Sequence, residues 1–170
     1  MLKDDLIDRL KRLDEDASFM YDSDGKFQCV IIGGSALILM GYITRATHDI
    51  DVIKTDKELY KLFEKYDFNT NAISYEPNFP YYYENRFKKV LIDTIKIDYY
   101  TASLEDIVIS KLCSPRPKDE KDIENESILS SIDWEKLELL ANEEKLSALN
   151  ENNYQDFKFR YEEYVKRFGK

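Results

Sequence analysis

Cysteine and histidine are scarce in this sequence, with two cysteines and one histidine among 170 residues. Cys29 and Cys113 are too few and too far apart to predict a disulfide framework or a zinc cluster. The N-terminal segment alternates charged residues with leucines and lacks the apolar run of a signal peptide. We therefore expect reduced thiols and a cytoplasmic location.

Positive charge is also in deficit, because 25 Lys+Arg against 34 Asp+Glu gives a formal net charge of −9. This balance argues against a protein that coats nucleic acids non-specifically, since phosphate contacts need clustered lysines and arginines. A local basic patch stays open as an alternative. Its candidate members are Arg86, Lys88, Lys89, Lys111, Arg116 and Lys118.

Long apolar runs are rare as well, and only the uncharged stretch from Phe27 to Thr44 approaches the length of a membrane span. Gly33 and Gly34 divide this stretch. The residues before them are rich in β-branched side chains, and those after them favour a helix. We therefore predict a buried strand, a glycine turn and a short helix here, and no association with a membrane.

What the sequence does contain predicts a folded protein, since 43% hydrophobic and 14% aromatic residues exceed the content of a disordered acidic chain. Its predicted elements include both strands and helices, which indicates an α+β fold. Leu2, Leu6, Leu10 and Leu13 predict one buried face of a helix over 2–17. The residues 69–83 read as a loop with a short strand. The other predicted elements are strands over 27–32 and 49–53, helices over 35–42 and from Ser103, a hairpin of 87–92 with 95–101, and helices over 118–130, 133–146 and 150–168.

This order of elements indicates a mixed β-sheet flanked by helices. We expect an α/β core of residues 1–115 and a helical C-terminal region, 116–170, packed on it. Five aromatic residues recur along one face of the last predicted helix and are expected to pack on the protein's own core, with a partner-binding face as the alternative. They are Tyr154, Phe157, Tyr161, Tyr164 and Phe168.

One segment carries chemistry: a Gly-Gly-Ser turn is followed by the pattern R-x-T-x-D-x-D, which begins at Arg45. Residues two apart on a strand point to the same side, so Asp49 and Asp51 are expected to present two neighbouring carboxylates. Two like charges this close are unfavourable unless a cation lies between them. Oxygen ligands alone favour Mg²⁺ or Mn²⁺, which take their remaining ligands from water and substrate phosphates.

The glycine turn supplies the complementary half of such a site. Without a Cβ, Gly33 and Gly34 let a phosphate approach the backbone, and the start of the following helix directs N–H groups towards it. Ser35 adds a hydroxyl donor. Each feature alone is ordinary architecture, but their occurrence in this order favours a nucleotide site.

The Gly-Gly-Ser and R-x-T-x-D-x-D motifs resemble the signature of the nucleotidyltransferase superfamily, which has a polymerase-beta-like palm. A second motif, KLCSPRPKDEKD from Lys111 to Asp122, is similar to that of AbiEii-type nucleotidyltransferase toxins and their short bacterial relatives. The two matches run from about Val30 to Ile123.

The resemblance implies a role for each matching residue. The nucleotide would be held by Gly33, Gly34, Ser35, Arg45, Thr47, Lys111 and Arg116, and the catalytic metal ions by Asp49, Asp51 and a third carboxylate. We assign the third carboxylate to Asp98 rather than to its rival, Asp93, which falls in the predicted hairpin turn. Two alternatives stay open for the second motif. Its basic residues would bind the substrate, or Asp119 and Asp122 would form salt bridges with them instead.

The function implied is metal-dependent transfer of NMP from an NTP to an acceptor. The acceptor would be RNA, often tRNA in toxin relatives, or a protein or small molecule. The resemblance also suggests the toxin of a toxin–antitoxin system, with an antitoxin as partner. The alternative is a catalytically silent member of the fold that binds a partner.

Overall fold

The computed structural model describes residues 1–148 and 150–169 and shows two compact units. The first comprises Met1–Ser74 and Phe87–Ala102. The second comprises Tyr75–Arg86 and the described chain from Ser103 onward. The units divide the chain differently from the expected boundary at residue 115, because the helix that begins after Ser103 goes with the C-terminal helices.

The first unit contains a five-stranded mixed sheet, so the predicted α+β class is confirmed. The strand order is β3-β2-β1-β5-β4, in which β1 runs antiparallel to β2 and parallel to β5. The elements are α1 (Lys3–Met20), β1 (Phe27–Ile31), α2 (Gly33–Leu39), β2 (Ile50–Thr55), α3 (Tyr60–Phe63), β3 (Phe68–Asn69), β4 (Lys88–Lys89) and β5 (Ile97–Thr101). Short 3₁₀ helices lie at Lys57–Leu59 and Glu64–Tyr66, and a third, Thr70–Asn78, begins in this unit.

Helix α1 is anchored to the sheet by its apolar face and by one buried carboxylate. Leu6, Leu10 and Leu13 are fully buried, as the leucine spacing predicts, whereas Leu2 is exposed because it precedes the first helical residue. Asp14 is also buried, and its carboxylate accepts N–H groups of residues 95, 96 and 97, each at 2.7 Å. The Tyr99 hydroxyl donates to the Leu10 carbonyl at 2.8 Å. These bonds tie α1 to the start of β5.

The predicted hairpin is confirmed, but its first strand is short. Only Lys88 and Lys89 pair with β5, opposite Thr101 and Tyr100. The uncharged stretch from Phe27 divides into β1 and α2, as predicted. Among the described residues, no helix is both long enough and apolar enough to cross a bilayer. Both cysteines are free, and burial raises the pKa of the Cys29 thiol to about 12.

The second unit is helical. Its elements are a 3₁₀ helix at Tyr83–Arg86 and α4 (Leu104–Leu112), α5 (Pro117–Ile123), α6 (Glu126–Leu129), α7 (Trp134–Ala141), α8 (Glu144–Ser147) and α9 (Glu151–Phe168). Ser103 caps α4, as predicted, by accepting the Asp106 N–H at 3.3 Å. The predicted helix over 118–130 is divided into α5 and α6, because Asn125 starts a new helix by capping Ser127.

The aromatic stripe of α9 packs within this unit. Phe157 and Tyr164 are buried, and the Tyr164 hydroxyl donates to the Ile123 carbonyl at 2.7 Å. The Trp134 and Tyr164 rings lie 5.8 Å apart. The expectation that the stripe packs on the protein's own core is therefore confirmed for Phe157 and Tyr164.

Candidate active site

The turn after β1 places two glycines beside strand β2. The Ile32 N–H donates to the Asp51 carbonyl at 2.9 Å, which brings the start of the turn level with Asp51. Gly33 then has φ = +66°, a conformation that costs other L-residues about 1–2 kcal/mol. The backbone conformation therefore favours glycine at this position.

Gly33 also leaves space for the side chain of Asp51. An ideal Cβ at position 33 would lie 2.8 Å from Asp51 Oδ2 and 3.6 Å from its Cγ. The first distance is shorter than any ordinary carbon contact, so a side chain at position 33 would occupy the space in front of this carboxylate. Asp51 itself is half-buried.

Gly34 lies close to a positively charged side chain, just as Gly33 lies close to the carboxylate of Asp51. An ideal Cβ at position 34 would lie 2.6 Å from Arg45 Nη2. The guanidinium of Arg45 thus lies directly against the Gly34 backbone, and its Nη1 donates to the Ala46 carbonyl at 3.1 Å. One glycine of the turn faces a carboxylate and the next faces a guanidinium, so the turn can receive both a cation and an anion.

Asn69 is a site residue that the sequence analysis missed. It lies opposite Asp51 in the parallel β2–β3 pair, and its Nδ2 donates to Asp51 Oδ1 at 2.9 Å. Its Oδ1 accepts the Asn71 N–H at 3.1 Å. The local signal is the Asn-x-Asn spacing, since an asparagine often accepts the N–H two residues on. The pairing with Asp51 has no local signal.

The strand predicted over 49–53 begins one residue later in the structure, at Ile50. Asp49 lies in a bend just before β2, which begins at Ile50, so the alternation that predicts a shared side applies to Asp51 and not to Asp49. Thr47 is buried, and its hydroxyl donates to the Asp49 carbonyl at 3.2 Å. Thr47 therefore braces the backbone at Asp49, and a role in holding the nucleotide stays a prediction.

Ser35 uses its hydroxyl within the turn. The side chain is buried, and Oγ donates to the Ile32 carbonyl at 3.0 Å. In this structure, the proton that was expected to face a phosphate instead holds the turn closed.

Asp98 does not lie beside Asp51, and this corrects the expected placement of the third carboxylate. Asp98 pairs with Gln28 at the start of β1, whereas Asp51 bonds to Ile32 beyond its end. Along a strand, Gln28 and Ile32 are separated by about 13 Å. Asp93, the rival candidate, is exposed outside any strand or helix.

Asp98 instead pairs with two lysines. Its Oδ1 lies 3.1 Å from Lys89 Nζ and 3.4 Å from Lys26 Nζ. Partial burial acts to raise its pKa, but the two lysines outweigh this effect and leave the pKa lowered. Within 1–148 and 150–169, no three His, Cys, Asp or Glu side chains come together as metal ligands.

The second motif forms a buried ion cluster in the helical unit. Lys111 Nζ lies 2.5 Å from Asp119 Oδ1 and 2.9 Å from Asp122 Oδ2, and all three side chains are less than 10% exposed. Arg116 Nε donates to Asp119 Oδ2 at 2.7 Å. Of the two alternatives, the structure shows the pairing of these carboxylates with the basic residues. Nucleotide binding by Lys111 and Arg116 stays a prediction.

Of the other candidate residues for a basic patch, two pair with carboxylates and two are exposed. Arg86 makes two hydrogen bonds to the Asp106 carboxylate, at 2.9 and 2.7 Å, and Lys89 pairs with Asp98. Lys88 and Lys118 are exposed.

The class of protein that this fold and site define is the nucleotidyltransferases, because a mixed sheet carries the signature turn with an acidic and a basic side chain against its two glycines. The chain belongs to the family described as "nucleotidyltransferase of unknown function" (DUF6036), which matches residues 8–169. No curated protein and no solved structure gives a significant match. The finer resemblance to AbiEii-type toxins stays a prediction.

Proposed function

We propose that this protein transfers NMP from an NTP to an acceptor hydroxyl with the help of Mg²⁺ or Mn²⁺. The observation that carries the proposal is the turn at Gly33 and Gly34, which has Asp51 Oδ2 against its first glycine and the Arg45 guanidinium against its second. A metal–triphosphate complex carries both charges that this turn can receive.

The residues present fit such a complex. Asp51, with Asp49, would hold the metal ion, since Mg²⁺ is commonly bound by one or two carboxylates together with substrate phosphates. Arg45 would balance phosphate charge, and Gly33 and Gly34 would admit the phosphate to the backbone. When bound, the metal ion stabilises charge on the attacking and leaving oxygens.

The reaction forms one P–O bond and breaks one. The acceptor oxygen bonds to the α-phosphorus of the NTP as the bond from that phosphorus to the bridging oxygen breaks; the hydroxyl proton passes to solvent, and pyrophosphate leaves. Hydroxyls of RNA, including tRNA, of a protein, or of a small molecule are all suitable acceptors. More specifically, we propose that the protein acts as a toxin and has an antitoxin as its partner.

The decisive experiment is transfer of label from each of the four α-³²P NTPs, with Mg²⁺, to RNA, protein and small-molecule pools. We expect labelled product and pyrophosphate, and loss of at least about 100-fold in rate for Asp51→Asn, because a metal carboxylate becomes neutral. Asp93→Asn is the matched control, since Asp93 is exposed outside the site. Equal rates for Asp51→Asn and wild type would contradict the proposal.

The same assay distinguishes NMP transfer from a second candidate function, that of a catalytically silent binding module. The position of Asp98, away from Asp51, is the observation that favours this candidate. A silent module would bind a partner protein and release no pyrophosphate with any NTP. Growth arrest on expression that requires Asp51 would support the toxin role.

Gly34→Ala provides a sharper test of the turn. The new Cβ would displace only the end of a flexible side chain, Arg45 Nη2, so the fold should tolerate it. We expect an unchanged or higher melting temperature, because alanine favours a helix, together with about 10-fold weaker binding of Mg²⁺–NTP.

A double-mutant cycle completes this test. Arg45→Met should weaken binding to a similar extent, and Gly34→Ala combined with Arg45→Met should cost little more than either change alone. Fully additive losses would show that Gly34 acts independently of the guanidinium.

A further inference from the structure

The amide of Asn69 has a defined orientation. Its Oδ1 accepts the Asn71 backbone N–H, which only an oxygen can do, so the opposite end of the amide is the NH₂ group. That group donates to Asp51 Oδ1 at 2.9 Å. A flipped amide would place donor against donor at Asn71 and acceptor against acceptor at Asp51.

This amide holds one oxygen of the Asp51 carboxylate. Oδ1 is bonded to Asn69 on β3, while Oδ2 is the oxygen nearest to the Cβ position of Gly33. The backbone register holds both partners in place, since Asp51 and Asn69 are paired residues of β2 and β3. The carboxylate is therefore held between a strand on one side and the glycine turn on the other.

We propose that Asn69 is a positioning residue that orients the Asp51 carboxylate for the metal–nucleotide complex. This inference rests on the proposed function and adds a residue that neither sequence motif contains. A neutral amide suits the role, because it fixes a carboxylate oxygen without cancelling its charge, whereas a lysine would compete with the metal ion. Asn71 takes part only through its backbone N–H.

The test measures metal binding by the full chain without turnover. Free Mn²⁺ is followed by its EPR signal in the presence of the four α,β-methylene NTPs, which cannot transfer NMP. We expect Asn69→Ala to weaken Mn²⁺–nucleotide binding by about 10-fold or more, as the loss of a ligand-orienting partner typically does. Asn71→Ala is the matched control and should stay within about twofold, because its backbone N–H remains.

A second variant separates positioning from a purely structural role. Asn69→Asp keeps the acceptor for the Asn71 N–H but places a second carboxylate against Asp51. In the absence of metal, we therefore expect the variant to melt at a lower temperature than wild type. With Mn²⁺, the variant should gain more stability than wild type does, because the two carboxylates then share a cation. If the role of Asn69 were purely structural, the variant would lose the same amount of stability with and without Mn²⁺.

The outcomes distinguish this inference from the function on which it rests. If wild type binds no Mn²⁺–nucleotide, both fail. If wild type binds it and Asn69→Ala binds it equally well, or the stability of Asn69→Asp does not respond to Mn²⁺, only the role of Asn69 is overturned.

Discussion

Replacing Lys111 by methionine is expected to lower the free energy of unfolding by about 3–5 kcal/mol at neutral pH. The change removes the ammonium that lies 2.5 Å from Asp119 and 2.9 Å from Asp122, and both carboxylates are buried. Arg116 Nε also lies 2.7 Å from Asp119 Oδ2, at the edge of the cluster. Two buried negative charges would thus lose their central partner, which costs far more than an exposed ion pair is worth.

The loss should depend on pH. Burial acts to raise the pKa of Asp119, but the charge and hydrogen bond of Lys111 outweigh it and hold the pKa below its ordinary value. This stability is present above the ordinary carboxyl pKa and is lost as pH falls through the lowered one. Without Lys111, burial would favour the protonated form of Asp119, so the difference between variant and wild type should shrink as the pH falls.

Urea unfolding at several pH values measures both effects. Lys166→Met is the matched control, because that lysine is exposed and its contact with Glu163 is long, at 3.7 Å. Replacing Lys111, Asp119 and Asp122 together by apolar residues should restore much of the stability. A pH-independent loss, or one below about 1 kcal/mol, would show that the cluster does not hold α4 to α5.

Asp14→Ala is the second change with a large expected effect, a loss of at least about 3 kcal/mol in unfolding free energy. The buried carboxylate accepts three backbone N–H groups at the entry to β5, and alanine would leave them without that acceptor. Hydrogen bonds to a charged group are worth about 1.5–3 kcal/mol each.

A neighbouring aspartate on the same helix provides the control. Asp8 is exposed and pairs with Arg12 at 2.8 Å, so Asp8→Ala should cost no more than about 0.5 kcal/mol. Urea unfolding at pH 7 compares the two variants. Equal losses would mean that the bonds of Asp14 to β5 contribute nothing specific.

Local patterns predicted the parts of the site that are local in sequence. The β1–Gly-Gly–α2 segment and Asp51 follow one another along the chain, and a change from strand to helix period with two glycines between is visible without coordinates. Position Gly33 is a clear case, since its positive φ favours glycine and a Cβ there would come within 2.8 Å of Asp51 Oδ2.

The parts that depend on strand register were not predictable in this way. Asp98 alternates correctly on β5, but only the pairing with Gln28 shows that it lies at the far end of β1. Asn69 stands on a two-residue strand, too short for a periodic signal, and becomes visible only through its pairing with Asp51. Asp14 looks like one more charge on a solvated helix until its three backbone donors are known.

The two outermost strands of the sheet, β3 and β4, are each two residues long. An unpaired sheet edge is a template on which another chain can add a strand, and such addition leads to aggregation or fibrils. Here, each outermost strand itself offers only two residues for pairing, and Lys88 and Lys89 add exposed positive charge to one edge. The brevity of these two strands therefore limits the pairing that they can offer to a strand from another chain.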